Sequence, residues 1–292
     1  MAPELKFATH VIPASPIRVF NSNDKNRPLR YHKEVWEPII RGLNEKRGKS
    51  WSGGTMYAFD ATNHGDSAIL NQDILPNSFK WTDNARDILQ IIDHFKIKGP
   101  IVGVGHSMGG CAMLMAEIFR PGTFSALVSI DPVLYPFRMN EYKSFSEAAK
   151  GSFLRHAFFK AWDSEVLDLH IVSELILDLP SGEVTLKCPK DQESYVFGHD
   201  NDTVFDAFSG LPEIDCSVLF IIGSGSFLIN SQDLALFKAS RCKNGHLITI
   251  DCGHLVPLEK PQETTKVKFG ILAPSGNCTI INSKRAQSKC LL

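Results

Sequence analysis

The sequence predicts an α/β protein: a mostly parallel sheet with helices on both faces and a helical cap inserted between two strands. Three observations lead there. Short, nearly unbroken apolar runs alternate with amphipathic segments, the pattern of strands buried on both faces. The pentapeptide Gly105-His106-Ser107-Met108-Gly109 follows the apolar run Ile101-Val102-Gly103-Val104 and precedes the small-residue stretch Gly110-Cys111-Ala112, giving strand, sharp turn and helix in succession. Residues 135–210 lack this alternation and are rich in aromatic side chains.

The elements follow in order. Residues 9–14 and 16–20 read as short early strands. Residues 32–46 read as an amphipathic helix with Val35, Ile39, Ile40 and Leu43 on one side. An apolar strand is expected at 56–59, ending in Asp60. Residues 82–95 form a strong helical pattern, with Thr82 or Asp83 as cap and Ile88, Leu89, Ile91, Ile92 and Phe95 as its apolar stripe. Further strands are expected at 100–104, 126–130, 218–222 and 246–250. The implied organisation is a core of residues 1–134, a helical cap of 135–210, and a second core portion of 211–292 with an atypical C-terminal tail. A cap of this kind supplies apolar walls and shields a site from water.

Composition narrows the function classes. A chain of 292 residues with 43% hydrophobic and 22% charged residues accommodates one large α/β domain with an insertion. A net charge of −1 and the lack of a long basic run argue against nucleic acid. No stretch approaches the roughly 18 apolar residues of a membrane span. The start, Met1-Ala2-Pro3-Glu4-Leu5-Lys6, lacks the apolar core of a signal peptide. The seven cysteines are scattered without a C-x-x-C pair and read as reduced thiols of an intracellular protein.

The G-x-S-x-G turn is where a strained backbone lifts a serine hydroxyl above a sheet. A serine hydroxyl needs a base to take its proton and an acid to orient that base, in the chain order Ser…Asp/Glu…His for this arrangement. Ser107 is the candidate nucleophile. His254, in Cys252-Gly253-His254-Leu255 after the last strand, is the candidate base. The loop after 218–222 reads Gly223-Ser224-Gly225-Ser226 and holds no carboxylate. The acid is therefore Asp131, at the end of the strand after the turn, or Asp233, or it is missing or substituted. Two backbone donors are needed to bind an oxyanion. One is the N–H of Met108; the Tyr31–His32 backbone is the candidate for the other. His106 is expected to pack beside the nucleophile. The loop Asp60-Ala61-Thr62-Asn63-His64-Gly65-Asp66-Ser67 reads as structural, with Gly65 permitting a turn and Asp66 and Ser67 bonding its backbone.

The strings GHSMGG, DATNHGDS, LVSIDPV and CGHLVPLEKP together resemble the α/β-hydrolase superfamily. HKEVWEPII, ARDILQIIDHF and PIVGVGHSMGGC are similar to a narrower group, fungal peroxisomal-type hydrolases that include members of host-selective toxin clusters and a yeast peroxisomal lipase. The resemblance implies an α/β-hydrolase fold with a cap, no cofactor, and an ester, thioester or lipid-like acyl substrate. It also implies a peroxisomal location and a step in toxin biosynthesis. Two departures stand out. The His- and Gly-containing loop normal before the first helix is shortened here, which leaves open a differently built oxyanion site or an impaired copy with a binding role. The C-terminal Ser288-Lys289-Cys290-Leu291-Leu292 displaces the Ser-Lys-Leu-like tripeptide of peroxisomal members. An acyltransferase using the same serine is a further alternative.

Overall fold

In the computed structural model, residues 8, 10–12, 33–46, 55–77, 79–136, 161–178, 183–189, 192, 195–196, 201–228 and 232–267 are described. Four strands, β1 (Val102–His106), β2 (Ala126–Ile130), β5 (Ser217–Gly223) and β6 (Gly245–Ile250), form one parallel sheet in the order β1-β2-β5-β6. Val102 pairs with Ala126, Ala126 with Ser217, and Val218 with Gly245.

The apolar runs are continuous because both faces are covered, and successive residues serve different cores. Leu127, Val218, Phe220 and Ile222 pack with helix α3 (Trp81–His94) and helix α4 (Met108–Phe119). Ala126, Val128, Ile130, Leu219 and Ile221 point the other way, to Val256 and Trp36. This is the period-2 alternation of strand side chains. Helix α6 (Asn201–Gly210) adds Val204, Ala207 and Phe208 to the first core, and helix α7 (Gln232–Ser240) adds Ala235 and Ala239. The last ten residues of the segment expected to be cap thus pack against the core.

Several elements differ from expectation. The described part of the segment expected as a helix over 32–46 begins as a 3-10 turn, Lys33–Trp36, and becomes helix α1 only at Glu37–Glu45. Pro38, without an N–H, suits the first turn of a helix and not its interior. Residues 56–59 are not part of a strand ladder among the described residues. The strand expected at 100–104 runs Val102–His106, set by pairing of His106 with Ile130. Neither Thr82 nor Asp83 caps α3: Lys80 occupies that position, and Asp83 pairs with Arg86 at 2.9 Å. Residues 16–20 lie outside the described residues.

The inserted segment is not purely helical. Helix α5 (Ser164–Glu174) runs into an antiparallel hairpin, β3 (Leu175–Asp178) and β4 (Glu183–Leu186). Polar contacts tie this segment to the core. Lys187 Nζ meets Asp66 at 2.8 Å, Gln192 donates to the Pro76 carbonyl at 2.9 Å, and Trp81 Nε1 donates to the Val196 carbonyl at 3.0 Å. The Asp163 N–H donates to the Leu258 carbonyl at 2.8 Å. No helix among the described residues is long and apolar enough to cross a membrane.

Candidate active site

β1 ends at His106 and α4 begins at Met108, so the chain turns at Ser107. That residue sits at φ 54° and ψ −118°, a backbone region that a side chain makes unfavourable. The Ser107 N–H donates to the Ile130 carbonyl at 2.9 Å, continuing the ladder, while the Cys111 N–H donates to the Ser107 carbonyl at 3.2 Å, opening the helix. Gly105 allows the tight return, since a Cβ there would lie 2.2 Å from the Gly109 carbonyl oxygen. Gly110 makes room for Ser129, whose Oγ would lie 2.8 Å from a Cβ. Gly109 faces open space, so the close approaches at this turn fall on Gly105 and Gly110.

The structure brings Ser107, His254 and Asp131 together. His254 sits on the loop between β6 and a short helix α8 (Val256–Glu259). Its Nε2 lies 3.0 Å from Ser107 Oγ. Asp131 immediately follows β2, is fully buried, and has φ 41°. Its N–H donates to the Ile221 carbonyl at 2.7 Å, and its Oδ2 accepts from the Gly223 N–H at 3.2 Å. Oδ2 lies 3.7 Å from His254 Nδ1, a charge-pair distance longer than a hydrogen bond. Asp233 is exposed in the first turn of α7. The loop after β5, which lacks a carboxylate, is instead joined to the His254 loop: the Gly225 N–H donates to the Cys252 carbonyl at 2.9 Å, and Ser224 Oγ lies 3.0 Å from Asp251 Oδ1.

Met108 is buried at the start of α4, where the first N–H groups of a helix lack intrahelical acceptors and the helix dipole is positive. Tyr31 and His32 lie outside the described residues. His106 packs its ring 4.8 Å from that of His254, and its Nε2–H donates to the His254 carbonyl at 2.9 Å. Burial, reinforced by the neighbouring His254, pushes His106 down to about 3, so it is neutral at physiological pH.

The 60–67 loop is held differently from expectation. The side chain of Asn71 donates to the carbonyls of Thr62 at 3.0 Å and Ser67 at 2.8 Å. Asp66 points outward to Lys187 and Lys33. His64 pairs with its neighbour Asn63, Nδ1 to Oδ1 at 2.8 Å. Gly65 does take the turn, at φ 50°. Asp60 is fully buried and accepts the Lys33 N–H at 2.8 Å. Burial raises its pKa to about 8; the Lys33 ammonium, 3.5 Å away and shared with Glu34 and Asp66, offsets this only in part.

Three neighbours of the site carried no clear sequence signal. Phe227 is 58% exposed and sets its ring edge-on to His254 at 5.0 Å, an apolar surface beside the base candidate. Lys238 is fully buried behind Asp131, with Nζ 3.4 Å from the Pro132 carbonyl. Burial lowers its pKa to about 8, with Asp131 opposing that shift. Glu259 accepts from the Gly253 N–H at 2.8 Å and the Leu255 N–H at 3.2 Å. The only hint of the last is its position four residues after the helix-capping Leu255, close to the spacing of a capping box.

The sequence profile of the Alpha/beta hydrolase family matches residues 29–267. The chain belongs to the alpha/beta hydrolase family. This alpha/beta hydrolase is 32% identical over 125 residues to the type I acyl-CoA thioesterase mpaH of Penicillium roqueforti, covering 42% of this chain and 28% of that one. It is 39% identical over 110 residues to the peroxisomal membrane protein LPX1 of Saccharomyces cerevisiae, covering 35% of this chain and 28% of that one. The matched stretches thus span under a third of either relative. The solved structure of the yeast peroxisomal alpha-beta-hydrolase Lpx1 shares the fold, with a TM-score of 0.67 at 24% identity over 86% of this chain and 77% of that one. The abhydrolase domain-containing protein AFT2-1 of Alternaria alternata is 26% identical over 216 residues, 58% of this chain and 81% of that one.

Proposed function

We propose that this alpha/beta hydrolase is a serine hydrolase that cleaves an ester or thioester of an apolar acyl group. The observation that carries the reading is the 3.0 Å approach of His254 Nε2 to the hydroxyl of Ser107 on its strained turn. Ser107 Oγ attacks the acyl carbonyl carbon and its proton passes to His254. The negative charge that develops on the carbonyl oxygen faces the Met108 N–H at the helix start. His254 returns the proton to the departing alcohol or thiol, then takes one from the water that hydrolyses the acyl-serine. Asp131, facing Nδ1, favours the imidazolium form and the ring orientation.

The acyl-CoA thioesterase named among the relatives supports a thioester substrate. Phe227, exposed beside His254, supports an apolar acyl group. The segment after residue 134 acts as the cap, and its Asp163–Leu258 contact, four residues from His254, supports that role. A peroxisomal site of action follows the yeast relative. A step in fungal secondary metabolism follows the likeness to the toxin-cluster hydrolases. Turnover measured against acyl-CoA and p-nitrophenyl ester series from short to long chains tests the reading. Activity rising with chain length supports it, and no turnover of any member contradicts it.

A further inference from the structure

Glu259 is five residues from His254 and would pass, from sequence, for a solvated acid at a helix start. In the structure its carboxylate straddles the His254 backbone. Oε2 accepts the Gly253 N–H at 2.8 Å and Oε1 accepts the Leu255 N–H at 3.2 Å. A Cβ on Gly253 would lie 2.7 Å from Glu259 Oε1, so a side chain there would push the carboxylate aside. Between those two amides, the His254 carbonyl accepts the Nε2–H of His106 at 2.9 Å. Three backbone groups flanking the imidazole are therefore held, two by one carboxylate and one by the residue beside Ser107.

The acid does not perform this task by itself. Asp131 Oδ2 stands 3.7 Å from His254 Nδ1, and neither Nδ1 nor Asp131 Oδ1 has a hydrogen-bond partner among the described residues. With that bond unformed, the loop beneath the ring shares in placing it, alongside the contacts with Ser107, His106 and Phe227. The loop spans only the residues between Ile250 and Val256 and has no regular structure of its own. A displacement of about 1 Å in a reacting group costs on the order of 100-fold in rate.

We infer that Glu259, with His106 opposite it, is a positioning residue that clamps the backbone of His254 and so holds the imidazole on Ser107. The inference rests on the reading of His254 as the base. Glutamine keeps one acceptor oxygen, aspartate is too short to reach both amides, and alanine keeps none.

The test uses the full chain, a fluorophosphonate probe for the labelling rate of Ser107, and a p-nitrophenyl ester for kcat and KM. Glu259→Ala is expected to lower both labelling rate and kcat by about 10- to 100-fold with KM nearly unchanged, and Glu259→Gln to fall between it and wild type. The decisive comparison is made in a His254→Ala background. A clamp has nothing to position there, so adding Glu259→Ala is expected to change the residual labelling rate less than twofold. A folded Glu259→Ala protein with the wild-type rate would overturn the inference, as would a loss that persists in full without His254. Wild-type labelling in His254→Ala alone would instead overturn the reading of the base. If Glu259→Ala does not fold, Glu259→Gln and Glu259→Asp carry the same comparison.

Discussion

A Cβ placed on Gly223 would lie 2.0 Å from the carbonyl oxygen of Gly253, so the loop after β5 and the loop carrying His254 cross backbone against backbone. No side chain can yield at that crossing. Gly223→Ala must displace one loop or the other, and overpacking of this kind costs about 1–3 kcal/mol, occasionally more. The expected result is a loss of at least about 2 kcal/mol in denaturant unfolding. Gly109→Ala is the contrasting case. It meets nothing within 4 Å, and in a helix alanine is favoured over glycine by about 0.5–1 kcal/mol. That variant is expected to be as stable as wild type or more so, as read from the same unfolding curves.

The two carboxylates considered as the acid separate cleanly in space. Asp131 is buried 3.7 Å from His254, whereas Asp233 is exposed at the start of α7. Asp131→Asn is expected to reduce kcat by about 100- to 10,000-fold with the fold intact, because the amide cannot favour the imidazolium form. Asp233→Asn is expected to leave kcat within about twofold, the usual result for an exposed side chain outside the site. Steady-state kinetics on an ester substrate checks both, and the opposite pattern would reassign the acid.

Asp60 gives a pH dependence whose sign is fixed by burial. Its folded-state pKa is raised to about 8 from its ordinary 3.8, so the folded protein keeps a proton that the unfolded chain has released. The stability it contributes is complete below about 4 and is lost as pH rises through about 8. Asp60→Asn still accepts the Lys33 N–H and cannot ionise. Wild type is therefore expected to lose stability relative to Asp60→Asn between pH 4 and 8, measured by urea unfolding across that range. A gain over the same interval would mean that the Lys33 ion pair outweighs burial.

Much of this architecture was legible in the sequence. Ala126, Val128 and Ile130 alternate with Leu127 between two buried faces, and such a run reads directly as an interior strand. Ser107 stood out because strand, turn and helix flank it within a few residues. His254 stood out because a Gly-His step follows the last strand. Asp131 was ambiguous, since Asp-Pro at a strand end also reads as a turn. The β3–β4 hairpin was hidden because its apolar residues continue the pattern of α5, and periodicity cannot divide a short helix from an adjoining short strand. Glu259 and Lys238 were hidden for another reason. Charged residues on helices are usually solvated, and only the tertiary structure reveals that one caps the His254 loop and the other is buried behind Asp131.

Fluorophosphonate labelling of wild type, Ser107→Ala and His254→Ala side by side reads out most directly whether Ser107 is a nucleophile served by His254. Stoichiometric labelling of the wild type, none of Ser107→Ala, and slow labelling of His254→Ala are expected. An unlabelled wild type, or equal labelling of Ser107→Ala, would contradict that role.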